Sequence, residues 1–138
     1  MLIADLKAGL RHSERLTVRE GHAVPAQAPL FGSDTDMPPV FATAQMIAFV
    51  EWTCVAALAP YIPPHQRTVG TRVDMSHLAA TPIGMAVTAD VELVEIESRR
   101  LRFKVSCRDE AEIIGEGFHE RTIIDQERFM ARLSRKHS

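Results

Sequence analysis

Val40-Phe-Ala-Thr43-Ala-Gln-Met-Ile-Ala-Phe-Val-Glu51-Trp-Thr-Cys-Val-Ala-Ala-Leu58 is the stretch that decides the fold of this chain. Glu51 is the only formally charged residue between Met37 and Gln66. The pattern predicts a helix that starts near Ala42 or Thr43 and stops near Leu58, where Pro60, Pro63 and Pro64 end it. A helix apolar on nearly every side is a buried helix. A carboxylate inside it is costly unless paired. Burial disfavours the ionised form of a carboxylate, which is a common way of preparing one for base or nucleophile work near neutral pH. Glu51 is therefore the strongest lead to a function.

Outward from the helix, four strands follow. In Val69–His77 the odd positions Val69, Thr71, Val73, Met75 and His77 share one face. Thr81-Pro82-Ile83-Gly84 reads as a turn. Met85, Val87, Ala89, Val91 and Leu93 share a face of the next strand, and the parity breaks at Val94-Glu95-Ile96, which predicts a bulge or strand end. Leu101, Phe103, Val105 and Cys107 alternate with Arg102, Lys104, Ser106 and Arg108. A turn at Asp109-Glu110 leads to a last strand over Ile113–Ile124, and Gln126–Arg135 reads as a short basic helix. Upstream, Leu10–Val18 carries a loose alternation suited to an edge strand. Gly21–Pro39, with Pro25, Pro29, Gly32, Pro38 and Pro39, reads as one long irregular segment of the kind that serves as a lid or binding loop. One long buried helix followed by an antiparallel meander is α+β. The sheet must curl around the helix to cover it, which is the hot-dog architecture. Such a curled sheet leaves an edge strand and a face for a second copy, so a homodimer is expected.

The 138 residues fit a single domain over 1–138 with a real core. Hydrophobic residues at 46% and charged residues at 25% describe a soluble globular protein. A net charge of −2 gives no reason to expect nucleic acid as a partner. Cys54 and Cys107 lie in apolar patterns and read as free thiols of a reducing compartment, hence a cytoplasmic protein. The N-terminus carries Asp5 and no long apolar run, unlike a signal peptide. Glu51, Thr43, Gln45 and Thr53 argue against Val40–Leu58 as a membrane span. The chain has no glycine-rich phosphate loop, no paired-cysteine metal site, no His-x-x-x-His pair and no Gly-x-Ser-x-Gly elbow, so metal, nucleotide and serine-hydrolase chemistry rank low.

Each candidate residue admits two readings. Glu51 is either a reactive acid or a structural one. His77 is a satisfied core histidine or, beside a buried glutamate, a partner that shares its proton. Thr43 is a helix cap or a functional hydroxyl. Gly70 is a turn glycine, or it marks a bulge or close approach of the backbone to a ligand. Arg121 shares the parity of His119 and Ile123; it either points inward and needs an anion, or forms an exposed cross-strand pair. The basic residues Arg128, Arg132, Arg135 and Lys136 are a solvated face or a phosphate contact. Thr43 and Glu51 are eight residues apart, about 12 Å along one straight helix. One helix cannot bring both to one substrate atom, whereas two copies about a two-fold axis can. The helix start would offer N–H groups and its dipole to a carbonyl oxygen from one side, with Glu51 on the other.

Val40-Phe-Ala-Thr43, Met46, Glu51-Trp52, Cys54-Val55 and Ala59-Pro60-Tyr61 together resemble the fluoroacetyl-coenzyme A thioesterase family. So do Val69-Gly70-Thr71, Ser76-His77, Ala79-Ala80-Thr81-Pro82 and Gly115-Glu-Gly117-Phe-His119-Glu120-Arg121. The resemblance runs from about Lys7 to the C-terminal helix. It implies a dimeric hot-dog hydrolase of acyl-CoA thioesters with Thr43, Glu51 and His77 as catalytic residues. It implies Gly70 and Arg121 as substrate contacts, and no metal or cofactor beyond the coenzyme A of the substrate. The departure is upstream: Met37 stands in a substrate-contacting lid position that is a phenylalanine in the family, and Asp34 stands where the family has another aromatic. On this reading Glu51 attacks the thioester carbonyl or activates water, Thr43 orients it or the acyl group, and His77 positions water and moves the proton. A hot-dog enoyl-CoA hydratase or dehydratase and a non-catalytic acyl-CoA-binding protein remain the alternatives.

Overall fold

The computed structural model describes residues 5–137. Its strands are β1 (Arg11–Thr17), β2 (Gln66–His77), β3 (Ala86–Glu97), β4 (Arg100–Arg108) and β5 (Ile113–Asp125). Its helices are α1 (Val24–Gln27), α2 (Thr43–Leu58) and α3 (Gln126–Ser134). The strands form one antiparallel sheet in the order β1-β3-β4-β5-β2, so β1 and β2 are its edges. The sheet curls over α2 in the hot-dog arrangement. The alternating apolar positions of β3 and β4, from Val87 to Leu93 and from Leu101 to Cys107, are buried. They meet Met46, Val50, Cys54, Ala57 and Leu58 of α2 in one core. Each large aliphatic buried there contributes roughly 1.5–3 kcal/mol. The expected parity break is a bulge between Leu93 and Glu95.

The helix differs from the expectation in one respect that matters. It is buried along one face only. Trp52 is 70% exposed, Thr43, Ala44 and Ala59 are exposed, and Ile47, Ala48, Val55 and Ala56 are half-buried. A single five-stranded sheet wraps one side of a helix; the other apolar side faces outward. Thr43–Tyr61 is long and apolar enough to cross a membrane by length and composition, and in this fold 33% of that stretch is buried.

Strand β2 also departs from the predicted parity. Its register against β5 shifts between Gly70 and Arg72, so Thr71 is the extra residue of a bulge. Ahead of the bulge, Thr68 and Gly70 turn toward Arg121 and Glu51 in place of Val69 and Thr71. Behind it, Val73, Met75 and His77 keep the predicted face, opposite His119, Gly117 and Gly115. The segment Gly21–Pro39 is not irregular throughout. It holds α1 and the 3₁₀ turns Glu20–His22 and Ala28–Phe31, with Pro25 and Pro29 opening two of the turns. Proline suits a helix start because its missing N–H has no partner there anyway. Gln45 Nε2 donates to Gln27 Oε1 at 3.1 Å and ties this strap to the first turns of α2.

Candidate active site

Two clusters of candidate side chains gather along α2, at its start and its middle. At the start, the N-cap is Ala42 and no side chain caps the first-turn N–H groups. Thr43 is the first helical residue, and its hydroxyl is not used as a cap. Instead Thr43 Oγ1 lies 2.6 Å from His77 Nδ1, at the end of β2. His77 Nε2 is buried and has no hydrogen-bond partner among the described residues. Such an orphaned ring nitrogen is the opposite of a satisfied core histidine. Opposite His77, Gly115 leaves room for the helix: a Cβ there would press on the Ser76 carbonyl at 2.7 Å and Met46 Sδ at 2.8 Å. Met46 packs in that space, one turn beyond Thr43.

At the middle of α2, Glu51 is not enclosed as the sequence suggests. Its side chain is 36% exposed, because it lies on the border of the uncovered face. Its Oε2 sits 3.5 Å from Arg121 Nη1 and 3.8 Å from His119 Nε2. A Cβ at Gly70 would collide with Glu51 Oε2. Gly70 therefore marks both a bulge and a close approach, and the turn reading is excluded. Arg121 is buried and inward, so the exposed-pair reading is excluded as well. Its Nε donates to Thr68 Oγ1 and its Nη2 to the Thr68 carbonyl, both at 2.9 Å. Burial pushes the guanidinium down from its ordinary range, and the neighbouring Glu51 carboxylate opposes that. His119 is fully buried, with Nδ1 2.8 Å from the Arg72 carbonyl and Nε2 3.2 Å from Arg121 Nη1. Burial is the main force holding its imidazole below the usual range; the Arg121 charge acts the same way.

His119 and Thr68 are the residues that sequence reasoning did not nominate. The available signal was the inward i, i+2 pairing of His119 with Arg121; Thr68 was hidden by the parity reversal at the bulge. Met37 is exposed on the strap ahead of α2, and Phe31 on the same strap is 83% exposed. Among the described residues no group of three His, Cys, Asp or Glu could hold a metal. The basic residues of α3 are exposed.

Glu51 and Arg121 line a cleft of about 570 Å³ with Trp52, Val55, Ile62 and Arg67. The cleft opens along the uncovered side of α2. It combines a carboxylate, an anchored cation and apolar walls, which suits an acyl group joined to a polar carrier. Within one chain the Thr43–His77 pair lies far from it. Gly70 pairs with Arg121 and His77 with Gly115, six steps apart on β5 and about 20 Å of extended strand.

A family model described as FlK, fluoroacetyl-CoA-specific thioesterase, matches residues 25–127. The chain is 40% identical over 135 residues to the fluoroacetyl-CoA thioesterase of Streptantibioticus cattleyicolor, covering 95% of this chain and 97% of that protein. A solved structure of the fluoroacetyl-CoA thioesterase FlK superposes with a TM-score of 0.87 at 38% identity, over 95% of this chain and 97% of that one. A thioesterase superfamily member from Thermus thermophilus reaches a TM-score of 0.87 at 21% identity, over 98% of this chain and 96% of that one, a likeness of fold. With sequence, fold and family model in agreement, the chain belongs to the fluoroacetyl-CoA-specific thioesterase family and is a hot-dog acyl-CoA thioesterase.

Proposed function

We propose that this protein hydrolyses a short acyl-CoA thioester at a site shared between two copies of the chain. The observation that carries the proposal is the division of the functional residues into two clusters that one chain keeps apart. Thr43, His77 and the uncapped start of α2 form one half; Glu51, Gly70 and Arg121 form the other. The long uncovered edge of β2 and the apolar outer side of α2 with Trp52 are the surfaces through which a two-fold partner would bring opposite halves together. A variant of a related enzyme, 37% identical with a TM-score of 0.88 over 96% of this chain and 100% of that one, is described in complex with acetyl-CoA. That supports a short acyl-CoA here.

In the composite site, the thioester carbonyl oxygen points at the first-turn N–H groups of one α2, where the helix dipole and the open donors favour developing negative charge. Glu51 of the other copy delivers oxygen to the carbonyl carbon, either its own or that of a water whose proton it takes. By the first route the carbon–sulfur bond breaks to leave an anhydride, and water then releases the acid. By the second the acid forms directly. In both, the coenzyme A sulfur leaves with a proton. His77, held by Thr43 through Nδ1, offers Nε2 for that transfer. Gly70 gives the substrate backbone access beside Glu51, and Arg121 keeps the carboxylate aimed. No cofactor is required, and two unpaired thiols suit the cytoplasm.

The test uses two variants and their mixture. Glu51→Gln and His77→Ala should each remain folded and release coenzyme A thiol orders of magnitude more slowly than wild type. After subunit exchange of an equal mixture, half of the dimers are hybrids, and each hybrid regains one intact site of two. Activity should therefore return to about a quarter of wild type per chain. Thiol release at the wild-type rate by Glu51→Gln would overturn the chemistry. A mixture no better than its parts, with exchange demonstrated, would overturn the shared site. Loss of enoyl absorbance without thiol release would favour a hydratase, and binding with neither a binding module.

A further inference from the structure

We infer that His119 is a positioning residue for the hydrolysis: through its Nε2 it fixes Arg121, and through Arg121 it fixes the Glu51 carboxylate. This rests on Glu51 being the reacting group. The geometry at His119 leaves little freedom. A carbonyl only accepts, so the 2.8 Å contact with the Arg72 oxygen requires the proton on Nδ1. That leaves the Nε2 lone pair facing Arg121 Nη1 at 3.2 Å, as an acceptor. The ring is fully buried and cannot turn toward solvent. Arg72 is the residue at which β2 resumes its register after the Thr71 bulge. The bulge thus supplies the carbonyl that sets the tautomer, and the tautomer supplies the acceptor that Arg121 needs. Thr68 holds the other edge of the same guanidinium, through Nε and Nη2. Arg121 is pinned on both sides, and Nη1, the nitrogen shared with His119, is the one that reaches Glu51.

This arrangement fits positioning better than proton transfer. Nε2 is 3.8 Å from Glu51 Oε2, beyond a hydrogen bond, while Arg121 Nη1 lies nearer to each of them, at 3.2 Å and 3.5 Å. Protonating Nε2 would set two cationic N–H groups against each other. The charged groups that face the ring are Arg121 and Glu120 from β5 and Glu51 from α2. The neutral ring is the one that accepts from Arg121.

Two substitutions separate the ring's two nitrogens. In His119→Asn the amide N–H replaces Nδ1 and keeps the bond to Arg72, while the acceptor for Arg121 is gone. In His119→Gln the amide oxygen replaces Nε2 and keeps the bond to Arg121. Both variants are to be compared with wild type for folded fraction, kcat and KM on acetyl-CoA. A displacement of about 1 Å at a reacting group can lower turnover about 100-fold. The expectation is a 10- to 100-fold loss of kcat in His119→Asn, with KM changed less than threefold and kcat recovered to within about fivefold of wild type in His119→Gln. Equal kcat in both variants after correction for folded fraction would overturn the inference, whether both match wild type or both fail. Glu51→Gln assayed alongside distinguishes the levels. If it is inactive while both His119 variants behave alike, only the role of His119 falls; if it is fully active, the underlying reading of Glu51 falls first.

Discussion

Gly70→Ala separates activity from stability more cleanly than any other single change. The added methyl would collide with Glu51 Oε2, and it would stand 3.2 Å from His119 Cε1 and 3.3 Å from Arg121 Nη1. The carboxylate must retreat by about 1 Å to restore van der Waals separation. It is the free end of a side chain that already borders solvent, so it moves at little cost to the fold. Gly70 does not occupy the left-handed region, so alanine adds no backbone strain there. Alanine also restricts the unfolded chain, which is worth about 0.4–1 kcal/mol in favour of folding and offsets the crowding. The melting temperature should stay within about 4 °C of wild type. Turnover should not survive as well: a shift of about 1 Å at the attacking group corresponds to roughly a 100-fold loss, or about 2.7 kcal/mol of transition-state stabilisation. The assay is release of coenzyme A thiol from acetyl-CoA with a thiol-reactive dye, alongside a thermal melt. A folded Gly70→Ala protein with wild-type kcat/KM would show that the position Glu51 holds against Gly70 is not the one that reacts.

Two further outcomes follow from burial. His119 takes a proton less readily in the folded protein than at its ordinary value of 6.5, chiefly through burial. Below that pH the unfolded chain binds a proton that the folded chain refuses, so this share of stability is complete above about 6.5 and is lost as pH falls through the folded value. Wild type should lose melting temperature between pH 6.5 and pH 5 more steeply than His119→Gln; equal slopes would refute the assignment. Cys54 and Cys107 are free and buried, and burial pushes both thiols up to about 12. The native protein should therefore give no reaction with the dye used for the turnover assay, and two thiols per chain should appear in denaturant. A fast-reacting native thiol would contradict the packing of the core.

The helix and the strands were legible because their signals are local. Leu101 to Cys107 alternates without interruption, and prolines bracket the apolar run that carries Glu51. The parity of β2 was not legible, since nothing in Val69-Gly-Thr-Arg-Val73 announces which residue is surplus; only pairing with β5 decides it. That one residue moved Gly70 and Thr68 to the side of Glu51 and Arg121 and concealed the anchor of Arg121. The extent of burial of α2 was overread for a different reason. Apolar composition reports that a surface will be covered, not by which chain; in this one Ala44 and Trp52 are exposed and Ile47, Ala48 and Val55 are covered only in part. Thr43 shows the limit of position alone: at a helix start a threonine reads as a cap, and only the contact with His77 gives its hydroxyl another use.

The residues proposed for the chemistry and the strap residues that precede them lie on structurally different parts of the chain. Thr43, Glu51, His77, Gly70 and Arg121 are carried by a helix packed into a sheet and by two paired strands, where a side chain has few positions to choose from. Phe31, Asp34 and Met37 lie on the strap ahead of the helix, exposed and fastened at its base by the Gln27–Gln45 bond. A methionine has three rotatable bonds where a phenylalanine has a rigid ring, so Met37 fills whatever space it borders without fixing its shape. Shared ancestry with the fluoroacetyl-CoA enzymes therefore bears on the rigid set first. Discrimination between acyl groups that differ by one atom calls for a wall of defined shape, and neither the flexible Met37 nor the exposed Asp34 of the strap supplies a rigid one.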